Sequence, residues 1–298
     1  MNLVGKRKIW FLISLIAIVP GTISLFLFGL RPGIDFTGGS LIEVYSVKDK
    51  SDLTSKVEQL NLPNLTVTPS GDGQLLLRYR DTEQSSEERL KLQDQLKSLV
   101  RENGATVNRV ENVGPSISAD ITKNALWSVF LASLAIVFYI SFAFRSVPKP
   151  ASSWRFGMTA IAALLHDSLF LLGVFSLLGR FFSVEVDSLF VTAVLTVIGF
   201  SVHDTIVVFD RIRENLRRER KSFEEVVNDS LNETFARSIN TSLTVIFTLT
   251  ALYIFGGESI KNFVLALLIG IIAGTYSSLF NASQLLVVWQ NRADKKAT

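Results

Sequence analysis

The sequence predicts a polytopic α-helical membrane protein, six transmembrane helices with a small extracytoplasmic α+β domain of ferredoxin-like element order between helices 1 and 2. Three observations predict it. Hydrophobic residues make up 48% of the 298-residue chain and charged residues only 19%, a balance that a water-soluble domain of this length rarely shows. Six stretches reach the roughly 20 apolar residues needed to cross a hydrocarbon core: 9–30, 125–144, 156–178, 189–209, 238–255 and 263–289. The one long polar interval, 31–123, alternates between strand-like and helix-like spacing.

Taken in order, the first stretch follows Lys6, Arg7 and Lys8. It is longer than the apolar region of a signal peptide and has no Ala-x-Ala site before Arg31, so it reads as an uncleaved anchor. In the polar interval, residues 40–47 alternate after Gly38 and Gly39 as a strand does, and 51–60 carry Leu53, Val57 and Leu60 at helical spacing. Residues 65–69 and 74–80 read as strands around the Gly71-Asp72-Gly73 turn. A helix over 86–102 follows, with Leu90, Leu92, Leu96, Leu99 and Val100 on its apolar side and Ser85 or Ser86 as its cap, and 105–113 closes as an extended segment. Strand, helix, strand, strand, helix, strand is the split βαβ pattern. At the entry to this domain stand Gly33, Asp35, Gly38 and Gly39, the glycines serving as turn residues that free the backbone. With no Gly-rich phosphate loop, Ser-His-Asp set or metal-ligand cluster, it reads as a docking or interaction domain.

With the N-terminus inside, the chain divides into 1–30 (tail and first helix), 31–123 (outer domain), 124–290 (five helices with a basic cytoplasmic loop at 210–237) and a cytoplasmic tail, 291–298. This threading places Arg145, Lys149 and Arg155 in the cytoplasm, then Arg211, Arg213, Arg217, Arg218, Arg220, Lys221 and Arg237, then Arg292, Lys295 and Lys296. The short outer loops keep only Arg180 and Lys261, as the positive-inside rule asks. The absence of cysteine excludes disulfides, thiolate metal sites and cysteine nucleophiles together. A formal charge of +3, with its arginines gathered at membrane edges, points to membrane lipids and not to nucleic acid as a partner.

Inside one apolar run lie His203 and Asp204, and inside the preceding one lie His166 and Asp167; the chain has 2 histidines in all. A carboxylate near a helix centre in lipid costs about 2.5 to 3.5 kcal/mol on insertion scales, so intramembrane acids are functional by default. The competing readings are a helix-helix hydrogen bond at Asp204 and simple packing at His166. Two His-Asp pairs could also hold a divalent ion, but no distinct nucleophile or further ligand cluster accompanies them. Thr192, Thr196, Gly199 and His203, at spacings of four, three and four, make a small and polar stripe expected to be the face met by other spans.

The string from Gly199 to Asn215, GFSVHDTIVVFDRIREN, resembles the signature of the SecF family of the SecDF protein-export complex, in which a fourth membrane helix carries a His/Asn-Asp pair and runs into a basic segment. The block GIDFTGGSLIEV, from Gly33 to Val44, resembles the family's opening of the outer domain. His166, Asp167 and the polar run 232–242 also fall where that family has them, while SecD and fused SecDF chains would be much longer. The resemblance implies a relative of the RND transporters in the bacterial cytoplasmic (inner) membrane, with both termini in the cytoplasm. Such a subunit is not an enzyme and needs no cofactor. With a SecD-like partner and the SecYEG translocon, it uses the proton motive force to promote export of preproteins. The alternative is a proton-driven RND-type exporter of small solutes or lipids, but such pumps carry twelve spans in two similar halves. Asp204 lies about six residues from the inner end of its span, roughly 9 Å of rise. Arg237, by itself an ordinary snorkelling anchor, starts the fifth span on the same side, so an Asp204–Arg237 ion pair cancelled by protonation is the expected two-state element. His203, His166 and Asp167 are the expected relay.

Overall fold

The computed structural model describes residues 1–45, 47, 49–60, 62–69, 73–80, 86–148, 151–218 and 220–297. Gly71, Asp72, Ser85 and Lys149, and the side chains of Ser86, Leu90 and Lys296, lie outside the described set. The chain runs α1 (Arg7–Phe28), α2 (Ile34–Thr37), β1 (Gly39–Tyr45), α3 (Lys50–Glu58), β2 (Thr66–Pro69), β3 (Leu75–Tyr79), α4 (Ser86–Glu102), β4 (Thr106–Val113), α5 (Pro115–Ala143), α6 (Ser153–Phe182), α7 (Ser188–Arg218), α8 (Phe223–Phe255), α9 (Lys261–Tyr276) and α10 (Ser283–Ala297), with a π-helical segment, Ser277–Ala282, joining the last two. It forms two compact units, Pro32–Leu126 and Met1–Arg31 with Trp127–Thr298.

In the smaller unit, four antiparallel strands lie in the order β2-β3-β1-β4. Ile42 pairs with Leu77 on one side and Val110 on the other. Because side chains alternate across a strand, Ile42, Val44, Leu75, Leu77 and Tyr79 share one face, and this face packs with Leu53 and Val57 of α3 and Leu96 and Val100 of α4 as the core. α3 begins where it does because the Asp49 carboxylate accepts the backbone N–H groups of Ser51 and Asp52. The hydrogen bond from the Ser51 hydroxyl, with those two amides, holds the Asp49 carboxyl below its ordinary range. Gly33 precedes the single turn α2, whose first turn carries the half-buried Asp35. Gly38 and Gly39 then take φ of +69° and +126° to bring the chain into β1. A side chain at Gly39 would lie 2.5 Å from the Tyr79 carbonyl oxygen.

In the larger unit and its flank, six helices are long and apolar enough to cross a membrane. α5, α7 and α8 run furthest beyond the apolar stretches that predict them. α5 starts at Pro115, where the missing N–H and fixed φ of proline suit a first helical residue. α7 continues to Arg218, and α8 begins at Phe223 behind a capping box between Ser222 and Glu225. The two form a helical hairpin beyond the apolar spans, held by ion pairs from Arg211 to Glu233 and from Lys221 to Asp229. Asn228 of this hairpin accepts the Leu3 N–H at 2.9 Å, so the N-terminus docks on α8. α1 crosses α6 where Gly21 meets Gly173, and Ser24 bonds Ser176 at 2.8 Å one turn further on.

The stripe of Thr192, Thr196, Gly199 and His203 is not the face of α7 that is buried among the described residues. All four residues are exposed. The packed face of α7 is instead Ala193, Val194, Val197, Ile198, Ser201, Asp204, Thr205 and Val208. The inward face combines the apolar Val194, Val197, Ile198 and Val208 with polar groups that find partners inside, Ser201 on Asp167 and Thr205 on Ser278.

Candidate functional site: a polar cluster inside the bundle

α6, α7 and the π segment bring together hydroxyls, amides and a carboxylate that the sequence distributes over distant spans. Asp167 is 1% exposed. Its Oδ1 pairs with His166 Nδ1 at 2.9 Å and its Oδ2 accepts the Ser201 hydroxyl at 2.5 Å. On the far side of the imidazole, Nε2 faces the Asn281 amide at 3.3 Å, and Asn281 in turn pairs with Ser14 of α1. Since the amide nitrogen only donates, Nε2 accepts, which leaves the ring proton on Nδ1 toward Asp167. The serine therefore touches the carboxylate and not the imidazole, so the trio lacks the base-to-hydroxyl contact that activates a nucleophile. Among the described residues no group of three or more His, Cys, Asp or Glu side chains is placed to hold a metal ion.

Asp204, 3% exposed, lies on the same face of α7 one turn beyond Ser201. Thr275 of α9 sits beside it, itself bonded to Ser242 of α8 at 2.6 Å. The carboxylate's Oδ2 is buried without a hydrogen-bond partner among the described residues. Next in the stripe, Thr205 bonds Ser278, and Ser278 also donates to the Ser201 carbonyl. The widened turn of the π segment thus carries Ser278 to α7 and Asn281 to α6 and α1, a placement typical of π-bulges at working sites.

Two expected members are elsewhere. Among the described residues no ion pair joins Asp204 to Arg237. The Arg237 side chain is exposed and lines a cavity of about 320 Å³ with Asp210, Arg211, Glu214 and Glu233. A long guanidinium stem that can reach a polar edge leaves a poorly solvated interior for it. His203 adjoins Asp204 in the chain but points outward and is exposed, because successive residues on a helix diverge by about 100°. Sequence reasoning missed Ser14, Ser201, Thr275, Ser278 and Asn281. The string SSLFNASQ, the most polar stretch of the last span, was the signal that could have found the last two.

Residues 92–292 match the family described as protein export membrane protein SecD/SecF, C-terminal, and residues 23–44 match the SecD/SecF GG motif, which contains Gly38 and Gly39. The chain is 49% identical to protein translocase subunit SecF of Thermobaculum terrenum, covering 98% of this chain and 95% of that protein. It is 37% identical to protein translocase subunit SecDF of Bacillus subtilis, over 98% of this chain but 38% of that longer protein. The crystal structure of SecDF, a translocon-associated membrane protein from Thermus thermophilus, superposes with a TM-score of 0.85 at 32% identity, covering 98% of this chain and 39% of that one. These matches span nearly every residue, including both blocks that carry the sequence resemblance, and the chain accordingly belongs to the SecD/SecF family of protein-export membrane proteins.

Proposed function

We propose that this chain is a SecF-type subunit which, with a SecD-like partner at the SecYEG translocon, uses the proton motive force to promote export of preproteins across the bacterial cytoplasmic membrane. Asp204 is its proton-coupling carboxylate. One observation carries the reading: a buried acid within an apolar helical run, one oxygen of which has no hydrogen-bond partner among the described residues. A group so placed is costly unless its ionisation is used. Arg237 pairs with Asp204 only in the other state of the cycle, and Asp167 with His166 is a second proton-accepting pair held by Ser201 and Asn281. His203, exposed within a span, is covered by the partner, since a histidine facing lipid would be expensive.

The same reading puts the termini and the α7–α8 hairpin in the cytoplasm and unit Pro32–Leu126 outside, as the arginine distribution favours. The order β2-β3-β1-β4, with α3 and α4 as crossovers, supports a ferredoxin-like domain there. One proton moving through about 150 mV contributes about 3.5 kcal/mol. A swing of a two-state equilibrium from 1:99 to 99:1 needs about 5.5 kcal/mol. Each cycle therefore draws on a pH gradient as well, or on more than one proton, which gives the Asp167 pair its role.

The test is preprotein export in vesicles carrying an imposed proton gradient. Asp204→Asn, nearly isosteric but unable to ionise, keeps the fold and loses the gradient-dependent part of export. Wild-type rates in that variant overturn the proposal.

A further inference from the structure

The cavity between α7 and α8 is lined by residues within one helical turn, along each helix, of two groups that share one property. On α7 its lining reaches Val207, one turn from Asp204, and on α8 it reaches Thr234 and Arg237, one turn and one residue from Ser238. Asp204 Oδ2 and Ser238 Oγ are both buried with no hydrogen-bond partner among the described residues. Ser238 is 2% exposed. A helical serine or threonine in such a place ordinarily bonds the carbonyl four residues back, and its neighbours do: Thr234 donates to the Ser230 carbonyl and Thr241 to that of Arg237. Ser238 makes no such bond among the described residues, and its hydroxyl is buried. Buried polar groups are nearly always satisfied by protein or by ordered water, and water fills a space that is polar and roomy enough. At about 30 Å³ for each water, a cavity of about 320 Å³ holds several.

We propose that this cavity holds ordered water which continues past Ser238 to the free oxygen of Asp204, making Ser238 the positioning residue for the last water of a proton path. The inference rests on Asp204 as the proton-coupling group. A proton leaving the Asp204 carboxyl passes to the water that Ser238 holds, and an equivalent proton leaves that water into the cavity, so Asp204 is left as the carboxylate and no other bond changes. The charged groups around the path are known. Glu233 is tied to Arg211 at 2.5 Å and to Asn215 at 2.9 Å, Asp210 is tied to Arg213, and Arg237 stands at the cavity wall. From α9 the Thr275 hydroxyl meets Asp204, and His203 is exposed on α7. A dry interior and a hydrated one differ in what can reach Ser238.

A chain without cysteine makes the experiment clean. Ser238→Cys and, as the control on the outer face of the same helix, Thr241→Cys are made in the full chain in vesicles. Each is exposed to a small membrane-impermeant methanethiosulfonate cation on the hairpin side. Only a hydrated thiol ionises and reacts, so Ser238→Cys is modified about tenfold or more faster than Thr241→Cys. Equal or slower modification of Ser238→Cys means a dry interface and overturns the inference. In parallel, Ser238→Ala slows gradient-driven export by about tenfold, a barrier increase of about 1.4 kcal/mol, and Ser238→Thr restores it. Wild-type export in Ser238→Ala also overturns it. Wild-type export in Asp204→Asn brings down the underlying reading, whereas loss there combined with an inert Ser238→Cys brings down this inference alone.

Discussion

Replacing Gly173 by alanine tests how closely the first and third spans must approach. A Cβ at Gly173 would lie 2.7 Å from the carbonyl carbon and 2.8 Å from the Cα of Gly21, both backbone atoms that cannot rotate away. Ordinary contact begins at 3.4 Å, so α1 and α6 must separate by about 0.7 Å. The Ser24–Ser176 hydrogen bond, 2.8 Å now and one turn along, would stretch to the limit of bonding. Overpacking of this kind costs about 1 to 3 kcal/mol. An interhelical hydrogen bond in a membrane adds about 0.6 and at most about 1.7 kcal/mol. The sum, about 2 to 4 kcal/mol, is a loss of about 30- to 900-fold in the folding equilibrium. Reversible unfolding of the full chain in bicelles measures it. Gly157→Ala is the control on the same helix, since a Cβ there meets nothing within 4 Å. Equal stability of Gly173→Ala and wild type would refute the close-contact argument.

Gly39→Ala strains the entry to the sheet twice, through φ of +126° and through the approach to the Tyr79 carbonyl, and should cost about 1 to 3 kcal/mol. Hydrogen exchange of the β1 and β3 amides would rise, whereas Gly114→Ala, with open space around its Cβ, would leave it unchanged. Asp49 supplies a pH test. Its carboxyl is held low by Ser51 and by two backbone amides. Its capping contribution is therefore present above the ordinary carboxylate range near about pH 4 and disappears as pH falls through the lowered value. Exchange protection of the α3 amides follows that titration in wild type and is flat across it in Asp49→Asn, which caps without a charge; identical profiles would contradict the assignment.

Six spans and the strand-helix alternation of residues 39–113 were legible because each is written locally, in apolar length or in a repeat of 2 or 3.6 residues. Asp204 and Asp167 were legible for the same reason, as acids that interrupt an apolar run. Their surroundings were not. Ser201 reaches Asp167 across 34 residues and Ser14 reaches Asn281 across 267, and no local spacing encodes either meeting. The side of α7 that turns inward was misjudged because a stripe of small residues suits a helix contact without naming the helix. Arg237 was misplaced because a side chain with four rotatable bonds chooses its end point by solvation, which its position in the chain does not fix. The π turn at Ser277–Ala282 left no mark beyond a local rise in polar residues.

The bond between Ser14 and Asn281 also sets an order of events during synthesis. Asn281 emerges 115 residues after the His166 that it touches. At about 5 to 20 residues per second, the ribosome takes about 6 to 23 s to supply it. Through that interval the half-made protein carries its acids in lipid with one wall of their enclosure still missing. The first helix can pack on the third through Gly21 and Gly173 before then, but only the arrival of the final helix adds the Ser14–Asn281 bond and closes that wall, so a prematurely terminated chain would present unsheltered polar groups to the bilayer and to the proteases that police it.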